Sequence, residues 1–517
     1  MSTSTNLARS LIKYLIENNI YNFVISPGSR NAPLSIAVYE ASEKGLIDLH
    51  VKIDERGAAY FALGLSKASD EYVAVICTSG TAVANYAPAA LEAFHGDNKL
   101  LFLTADRPAR LRKTGANQTT DQVNIFKGIK THDLTAFEPI DLTNGPIHLN
   151  LQFDEPLLPS ESSEWLTGIK QVSKKKLDIP REKLSVSGNG VVIVGHDKGG
   201  FESSEIEKFA QNLILISEDP LSFKNSISHA SIFLTDEKIR EYLKPDFVIV
   251  IGRTTLSRSV NAFIATASKQ YVVDKRLKRI DTSRTGDKLF ENLPVLDIEN
   301  ISESYRRDFQ LASQNSEVNL EWSEQDFARI FAAQLPDGAA LFIGSSRPIR
   351  DIEGFASSRT GLSVFANRGL AGIDGNISTI FGIAEYFEKT YAVLGDLTFL
   401  HDISALISPT KNIDCKIFII DNDGGGIFST LPQSRVAGFE KIFGTPHGKD
   451  LSKIIEGFGV NVELIKGESD LKRVINHKNS ELTIYLVKVP ERNEMALKLK
   501  DYLAKVSSAV RIGFNLA

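Results

Sequence analysis

At 517 residues the chain is longer than one hydrophobic core supports, and its length predicts about three domains. Its 59 Lys and Arg stand against 64 Asp and Glu, a net charge of −5 with no long basic stripe, which argues against nucleic-acid binding. Cys77 and Cys415 are the only cysteines and sit in no pair spacing, so neither a disulfide framework nor a Cys-based zinc site is indicated. No apolar stretch reaches bilayer length, and Met1–Asn6 carries neither a charged n-region nor an apolar h-region. The expectation is a cytoplasmic enzyme without membrane insertion.

In chain order, a helical pattern over Asn6–Glu17 is followed by expected strands Tyr21–Ile25, Leu49–Ile53, Tyr72–Cys77, Leu100–Thr104 and Pro146–Phe153. Between Pro156 and Gly190 the pattern decays into Ser, Glu and Lys, including Lys174-Lys175-Lys176, and reads as a solvated linker. A second block has expected strands Val191–Gly195, Leu213–Ser217, Phe247–Ile251 and Tyr271–Asp274. A third, from about Leu320, has Leu341–Gly344, Tyr391–Leu394, Lys416–Ile420 and Thr483–Val489. Strands alternating with helical patterns predict an α/β protein of three doubly wound, mainly parallel-sheet domains. Their expected bounds are residues 1–175, 188–305 and 318–517. Blocks one and three share size and layout, as distant duplicates would.

Two segments carry the chemistry. Gly395-Asp396-Leu397-Thr398 ends one apolar run, and Asp421-Asn422-Asp423-Gly424-Gly425-Gly426 ends the next, 26 residues on. Ligands gather at the carboxyl ends of parallel strands. A carboxylate, an amide oxygen and a backbone carbonyl, with glycine allowing close approach, form a hard oxygen shell suited to Mg²⁺ carrying phosphate oxygens. Either segment alone reads equally well as a helix cap or a polar turn. A third segment, Asp54-Glu55-Arg56-Gly57-Ala58-Ala59, follows an expected strand and precedes small residues suited to a tightly packed helix start.

The paired segments resemble the metal and diphosphate motif of thiamine diphosphate enzymes, with Leu397 at the motif's second Gly and Asp421 at its first Asn. Further segments narrow the resemblance to the 2-succinyl-5-enolpyruvyl-6-hydroxy-3-cyclohexene-1-carboxylate synthases. These are Ser26-Pro27-Gly28-Ser29-Arg30-Asn31-Ala32-Pro33-Leu34, Thr104-Ala105-Asp106-Arg107-Pro108, Gly115-Ala116-Asn117-Gln118-Thr119, Pro348-Ile349-Arg350-Asp351 and Asn367-Arg368-Gly369-Leu370-Ala371-Gly372-Ile373. Leu397 is what this subfamily tends to have. The resemblance implies the thiamine diphosphate-binding fold, bound thiamine diphosphate and Mg²⁺ or Mn²⁺. It also implies decarboxylation of 2-oxoglutarate and 1,4-addition of the resulting carbanion to isochorismate, in menaquinone biosynthesis.

Matched residue by residue, the resemblance implies that Glu55 bonds the aminopyrimidine ring and activates the cofactor. Asp396, Asn422 and the Gly424 carbonyl would hold the metal, and Ile373 would support the bent cofactor. Ser346, Leu397, Thr398, Ile427 and Phe428 would complete the cofactor pocket. Both substrates are dianions, which suits the planar fork of Arg. Arg30, Arg107, Arg350 and Arg368 are the expected carboxylate contacts, with Ser29, Asn117 and Gln118 as neutral donors and Arg258 a looser match. The family places Glu55 and Asp396 of one site on two chains, so a homodimer or homotetramer is expected. The alternative is another thiamine diphosphate-dependent decarboxylase or carboligase, such as an acetohydroxyacid synthase-like protein. The metal motif fits it equally well, whereas the Arg set suits dicarboxylates better than pyruvate.

Overall fold

The computed structural model describes the chain except residues 1–2, 143–144, 161–163, 173–179, 196, 277–280, 282–284 and 517. Lys174-Lys175-Lys176 lies outside the described residues. Three main sheets form, and every strand pairing among the described residues is parallel. Helices cover both faces of such sheets, so their central strands are apolar throughout. Val73–Cys77 and Cys415–Asp421 are buried at every position.

The first sheet runs, in spatial order, Asp48–Val51, Asn22–Ile25, Val73–Cys77, Leu100–Asp106, Ile147–Gln152 and Lys130–Leu134. The third runs Ser363–Phe365, Ala340–Ile343, Thr390–Gly395, Cys415–Asp421, Thr483–Lys488 and Asn461–Ile465. Numbered along the chain, both follow the same order, 2-1-3-4-6-5, the duplicate layout expected from the sequence. The middle sheet has five strands, Lys288–Phe290, Lys269–Val273, Phe247–Ile251, Gly190–Val194 and Ile214–Ser217. In all three the strand order reverses between the first and third strands, which opens a crevice at their carboxyl ends.

The segment read as a linker is structured in part. Lys183–Ser187 pairs in parallel with Val295–Glu299 as a separate two-stranded sheet. Besides that pair, four strands of the main sheets were not expected from the sequence: Lys130–Leu134, Lys288–Phe290, Ser363–Phe365 and Asn461–Ile465. All four lie at sheet edges, where one side meets solvent and the apolar pattern thins.

The first and third sheets share one core. Helix Glu55–Ser69 starts where Asp54 accepts from the Arg56 and Gly57 amides at 3.0 and 3.4 Å, and it lies against helix Asn376–Ile383. Glycine permits the approach. A Cβ on Gly64 would meet the Thr379 carbonyl oxygen at 2.1 Å, and one on Gly382 would meet the Phe61 carbonyl oxygen at 2.2 Å. The last helix, Arg492–Gly513, buries Tyr502, Val506 and Val510 in the core beside the middle sheet.

Candidate active site

A cavity of about 170 Å³ opens where the third sheet reverses, between the ends of Ala340–Ile343 and Thr390–Gly395. Ser346, Ile373, Asp396, Leu397, Thr398, Asn422, Gly424, Ile427 and Phe428 all line it. Nine of the ten residues expected to touch the cofactor are therefore brought together, and the tenth, Glu55, lies elsewhere. Ser346 holds φ +77° and ψ −122°, a conformation that strains any residue with a Cβ and recurs at functional sites.

Asp396 opens a short helix at the strand end. Its Oδ1 accepts from the Leu397 amide at 2.6 Å and its Oδ2 from the Gly424 amide at 2.8 Å. Burial raises its pKa, and those two amides oppose the rise. Gly424 has φ +130°, and a Cβ there would meet the Gly444 carbonyl oxygen at 2.2 Å, so no larger residue fits. Asn422 Oδ1 is buried with no hydrogen-bond partner among the described residues. A buried amide oxygen without a donor beside a buried carboxylate fits a hard divalent cation. The donor set therefore suits Mg²⁺ or Mn²⁺.

Sequence reasoning missed several groups around this cavity. His447 Nε2 is 3.3 Å from Asp396 Oδ2 and 3.9 Å from Asp421 Oδ1. One ligand atom from each of these three lies within 4.8 Å of the others. His447 Nδ1 accepts from the Lys449 amide at 3.0 Å, which puts a neutral ring's proton on Nε2, toward Asp396. On the other wall, Glu324 accepts from Asn422 Nδ2 at 2.5 Å, and its second oxygen is 3.6 Å from Arg347 Nε. Arg347 in turn pairs with Asp351. Burial, then the Asp351 charge, pushes Glu324 up to about 7. No spacing in the sequence marks His447 or Glu324.

Glu55 is the first residue of its helix, half-buried, on the side of the molecule that carries the first sheet. It does not line the cavity around Asp396. Near the first sheet's reversal, Arg107 donates to Ser79 Oγ at 2.8 Å and to the Gln118 carbonyl at 2.7 Å. Gln118 Nε2 returns a bond to the Ser79 carbonyl at 2.9 Å. Arg30 reaches the Phe153 carbonyl at 3.2 Å. Burial lowers the Arg107 pKa, and the nearby Arg30 charge lowers it further. Arg30 also pairs with Glu155 at 3.4 Å, and two cations close enough to repel gain from a further anion beside them. Ser29, Asn117 and Gln118 are exposed at the same strand ends. Beneath them Asp106 accepts from the Arg107 amide at 2.7 Å and pairs with Arg112 at 2.9 Å, a buried base for the loop.

The remaining arginines separate. Arg350 donates to the Ser346 carbonyl at 2.6 Å, beside the cavity, and burial followed by the Arg347 and Arg368 charges lowers its pKa. Arg368 is buried and paired with Glu218, just past strand Ile214–Ser217 of the middle sheet. It lines a second cavity, of about 270 Å³, between the middle sheet and the other two. Arg258 is exposed, at the start of helix Arg258–Ile264.

Residues 5–125 match the family model described as thiamine pyrophosphate enzyme, N-terminal TPP binding domain. Residues 354–488 match the corresponding C-terminal TPP binding domain. The chain is 33% identical to the 2-succinyl-5-enolpyruvyl-6-hydroxy-3-cyclohexene-1-carboxylate synthase of Saccharopolyspora erythraea, over 91% of this chain and 93% of that protein. The chain belongs to this synthase family. The synthase of a Nocardioides species is 36% identical over 87% of this chain and 89% of its own length. That of Thermobifida fusca is 32% identical over 92% and 94%. Membership makes the thiamine diphosphate-binding fold a property of this chain, as its resemblance implied. Among the described residues, no helix is long and apolar enough to cross a membrane.

Proposed function

We propose that the protein decarboxylates 2-oxoglutarate and joins the remaining four-carbon unit to isochorismate, giving 2-succinyl-5-enolpyruvyl-6-hydroxy-3-cyclohexene-1-carboxylate and CO2 for menaquinone synthesis. The observation that carries this reading is the cavity in which Asp396, the partnerless Asn422 Oδ1 and the glycine-only backbone of Gly424 converge. Asp396, Asn422 and the Gly424 carbonyl would hold Mg²⁺ or Mn²⁺ against the diphosphate. Thr398 and Leu397 would flank the diphosphate, with Ser346, Ile427 and Phe428 closing the pocket. Bound thiamine diphosphate supplies the carbon nucleophile and electron sink that decarboxylation of a 2-oxo acid requires.

This chain's residues do the rest. Ile373 fills space beneath the cofactor and keeps it bent. Glu55 exchanges a proton with the aminopyrimidine ring nitrogen, and because it lies apart from the cavity it serves the site of a second chain in a homodimer or a homotetramer. Arg30 and Arg107, with Ser29, Asn117 and Gln118, bind substrate carboxylates from that same side. Arg350 binds them from the metal side, as charge-assisted bonds to dianions require. Arg368 and Arg258 extend that set.

The test mixes protein, thiamine diphosphate, Mg²⁺, 2-oxoglutarate and isochorismate and measures CO2 with product. CO2 release only when isochorismate is present supports the synthase. Release at the same rate without it, or turnover of pyruvate instead, points to the decarboxylase or acetohydroxyacid synthase-like alternative. Glu55→Gln should cut turnover at least ~100-fold, the scale of a lost proton-transfer group, while retaining the cofactor. Mixing it with Asp396→Ala protein should restore partial turnover, since one site of each mixed dimer is then intact.

A further inference from the structure

Asn422 has two ends, and only one can bind a cation. Its Oδ1 is the buried acceptor left without a partner, and its Nδ2 donates to Glu324 Oε1 at 2.5 Å. Facing Arg347, Glu324 is favoured as the carboxylate, which accepts and does not donate, so this bond fixes which way the amide faces. Glu324 cannot turn away, because its other oxygen faces Arg347 Nε at 3.6 Å and the Arg347 guanidinium is tied to Asp351. Gln325 Nε2 holds the same Asp351 oxygen at 3.1 Å. Glu324 itself is anchored as the first residue of helix Glu324–Gln334, behind an N-cap in which Ser323 accepts from the Asp326 amide at 3.1 Å. Gly426 leaves the room this arrangement needs, since a Cβ there would meet Asn422 Nδ2 at 2.5 Å.

From this geometry we propose that Glu324 is a positioning residue for the divalent cation, held by Arg347 and Asp351 so that Asn422 presents oxygen to the metal. The proposal rests on the cation reading given above. It predicts a specific failure for Glu324→Gln. Arg347 is a donor only, so the oxygen of the substituted amide turns toward it and the amide nitrogen turns toward Asn422. Asn422 then flips to accept with Oδ1 and presents nitrogen where the metal sits. Exchanging the pair, as Glu324→Gln with Asn422→Asp, restores complementarity: one oxygen of the introduced carboxylate accepts from the introduced amide, and the other is free for the metal.

Mn²⁺ binding to the full chain with thiamine diphosphate, followed by calorimetry and by the paramagnetic signal of free Mn²⁺, tests this without relying on turnover. Glu324→Gln should weaken Mn²⁺ by about 10- to 100-fold, the usual effect of losing a partner that orients a metal ligand. The exchange variant should return to within about 10-fold of the wild-type protein on the same scale. Unchanged Mn²⁺ affinity in Glu324→Gln overturns the proposal, as does an exchange variant that binds no better than Glu324→Gln. If Glu324→Gln does not fold, the exchange variant alone decides, by binding Mn²⁺ near the wild-type level or failing to. Asp396→Ala is the control. If it binds Mn²⁺ as the wild-type protein does, the cation reading fails at its root, a result distinct from failure of the Glu324 role.

Discussion

Replacing Arg368 with Met separates two roles that one arginine can hold. Its guanidinium bonds Glu218 at the end of a middle-sheet strand, and the two side chains are only 8% and 3% exposed. Glu218 is held independently, because its other oxygen accepts from Thr255 Oγ1 at 2.9 Å and the Leu256 amide at 2.8 Å. Arg368→Met therefore leaves a buried carboxylate in place without its cation. Glu353 is close by, its own pKa raised by burial and then by the Glu218 charge, so the region would hold two acidic groups and lose one of the two arginines, Arg350 and Arg368, that act on Glu353. Breaking a buried pair from one side costs about 3–5 kcal/mol. The double variant Arg368→Met with Glu218→Gln should regain most of it, because the amide oxygen still accepts from Thr255 and Leu256. Urea and thermal midpoints of the two variants measure the stability part, and turnover with 2-oxoglutarate and isochorismate measures the substrate part. A single variant as stable as the double would refute the structural pairing. A double variant that is stable but inactive would assign Arg368 to a substrate carboxylate as well.

Gly64→Ala should destabilise the protein by about 1–3 kcal/mol or more, since the added methyl meets the Thr379 backbone oxygen at 2.1 Å; denaturant titration beside an exposed, uncrowded Gly457→Ala control checks it. His148, buried between Thr104 and Thr131, is depressed to about 3 from an ordinary 6.5, mainly by burial. The unfolded chain binds its proton and the folded chain does not, so stability is full above about 6.5 and is lost as pH falls toward 3; His148→Gln should flatten that limb by about 3–5 kcal/mol in unfolding followed against pH.

The sequence announced those elements whose burial is two-sided. Cys415–Asp421 and Val73–Cys77 are continuous apolar runs because helices cover both faces, and each lies within two residues of its expected bounds. Asn461–Ile465 was silent because, at the sheet edge, only its last residue is buried. The same logic divides the site. Asp396, Asn422 and Gly424 were legible because a strand end followed by glycines is a local pattern with a local chemical meaning. Glu324 and Glu218 were not, because each matters only through a residue from a distant segment, Asn422 for one and Arg368 for the other. A Glu at a helix start reads as an ordinary first-turn carboxylate until folding brings Asn422 and Arg347 against it. The four arginines looked equivalent in sequence, and tertiary contact alone separates the Arg30 and Arg107 pair from the Glu218-bound Arg368.

The seam between the two duplicate sheets links these half-sites mechanically. Helix Glu55–Ser69 carries the proposed proton-transfer carboxylate at its first residue, and helix Asn376–Ile383 begins just after Ile373. Besides the Gly64 and Gly382 contacts, Tyr60 Oη donates to Asp374 at 2.5 Å, and a Cβ on Gly375 would meet the Tyr60 ring at 1.9 Å. The loop proposed to support the cofactor is thus clamped to the helix bearing Glu55. In the proposed dimer those two residues belong to different active sites, since Glu55 reaches across to the other chain. A wedge in the seam would then displace the proton-transfer group of one site and the cofactor support of the other together. Close-packed interiors transmit such strain because they have no slack to absorb it. On the proposed site, the glycines of this seam would bear on catalysis as well as on stability, through packing alone.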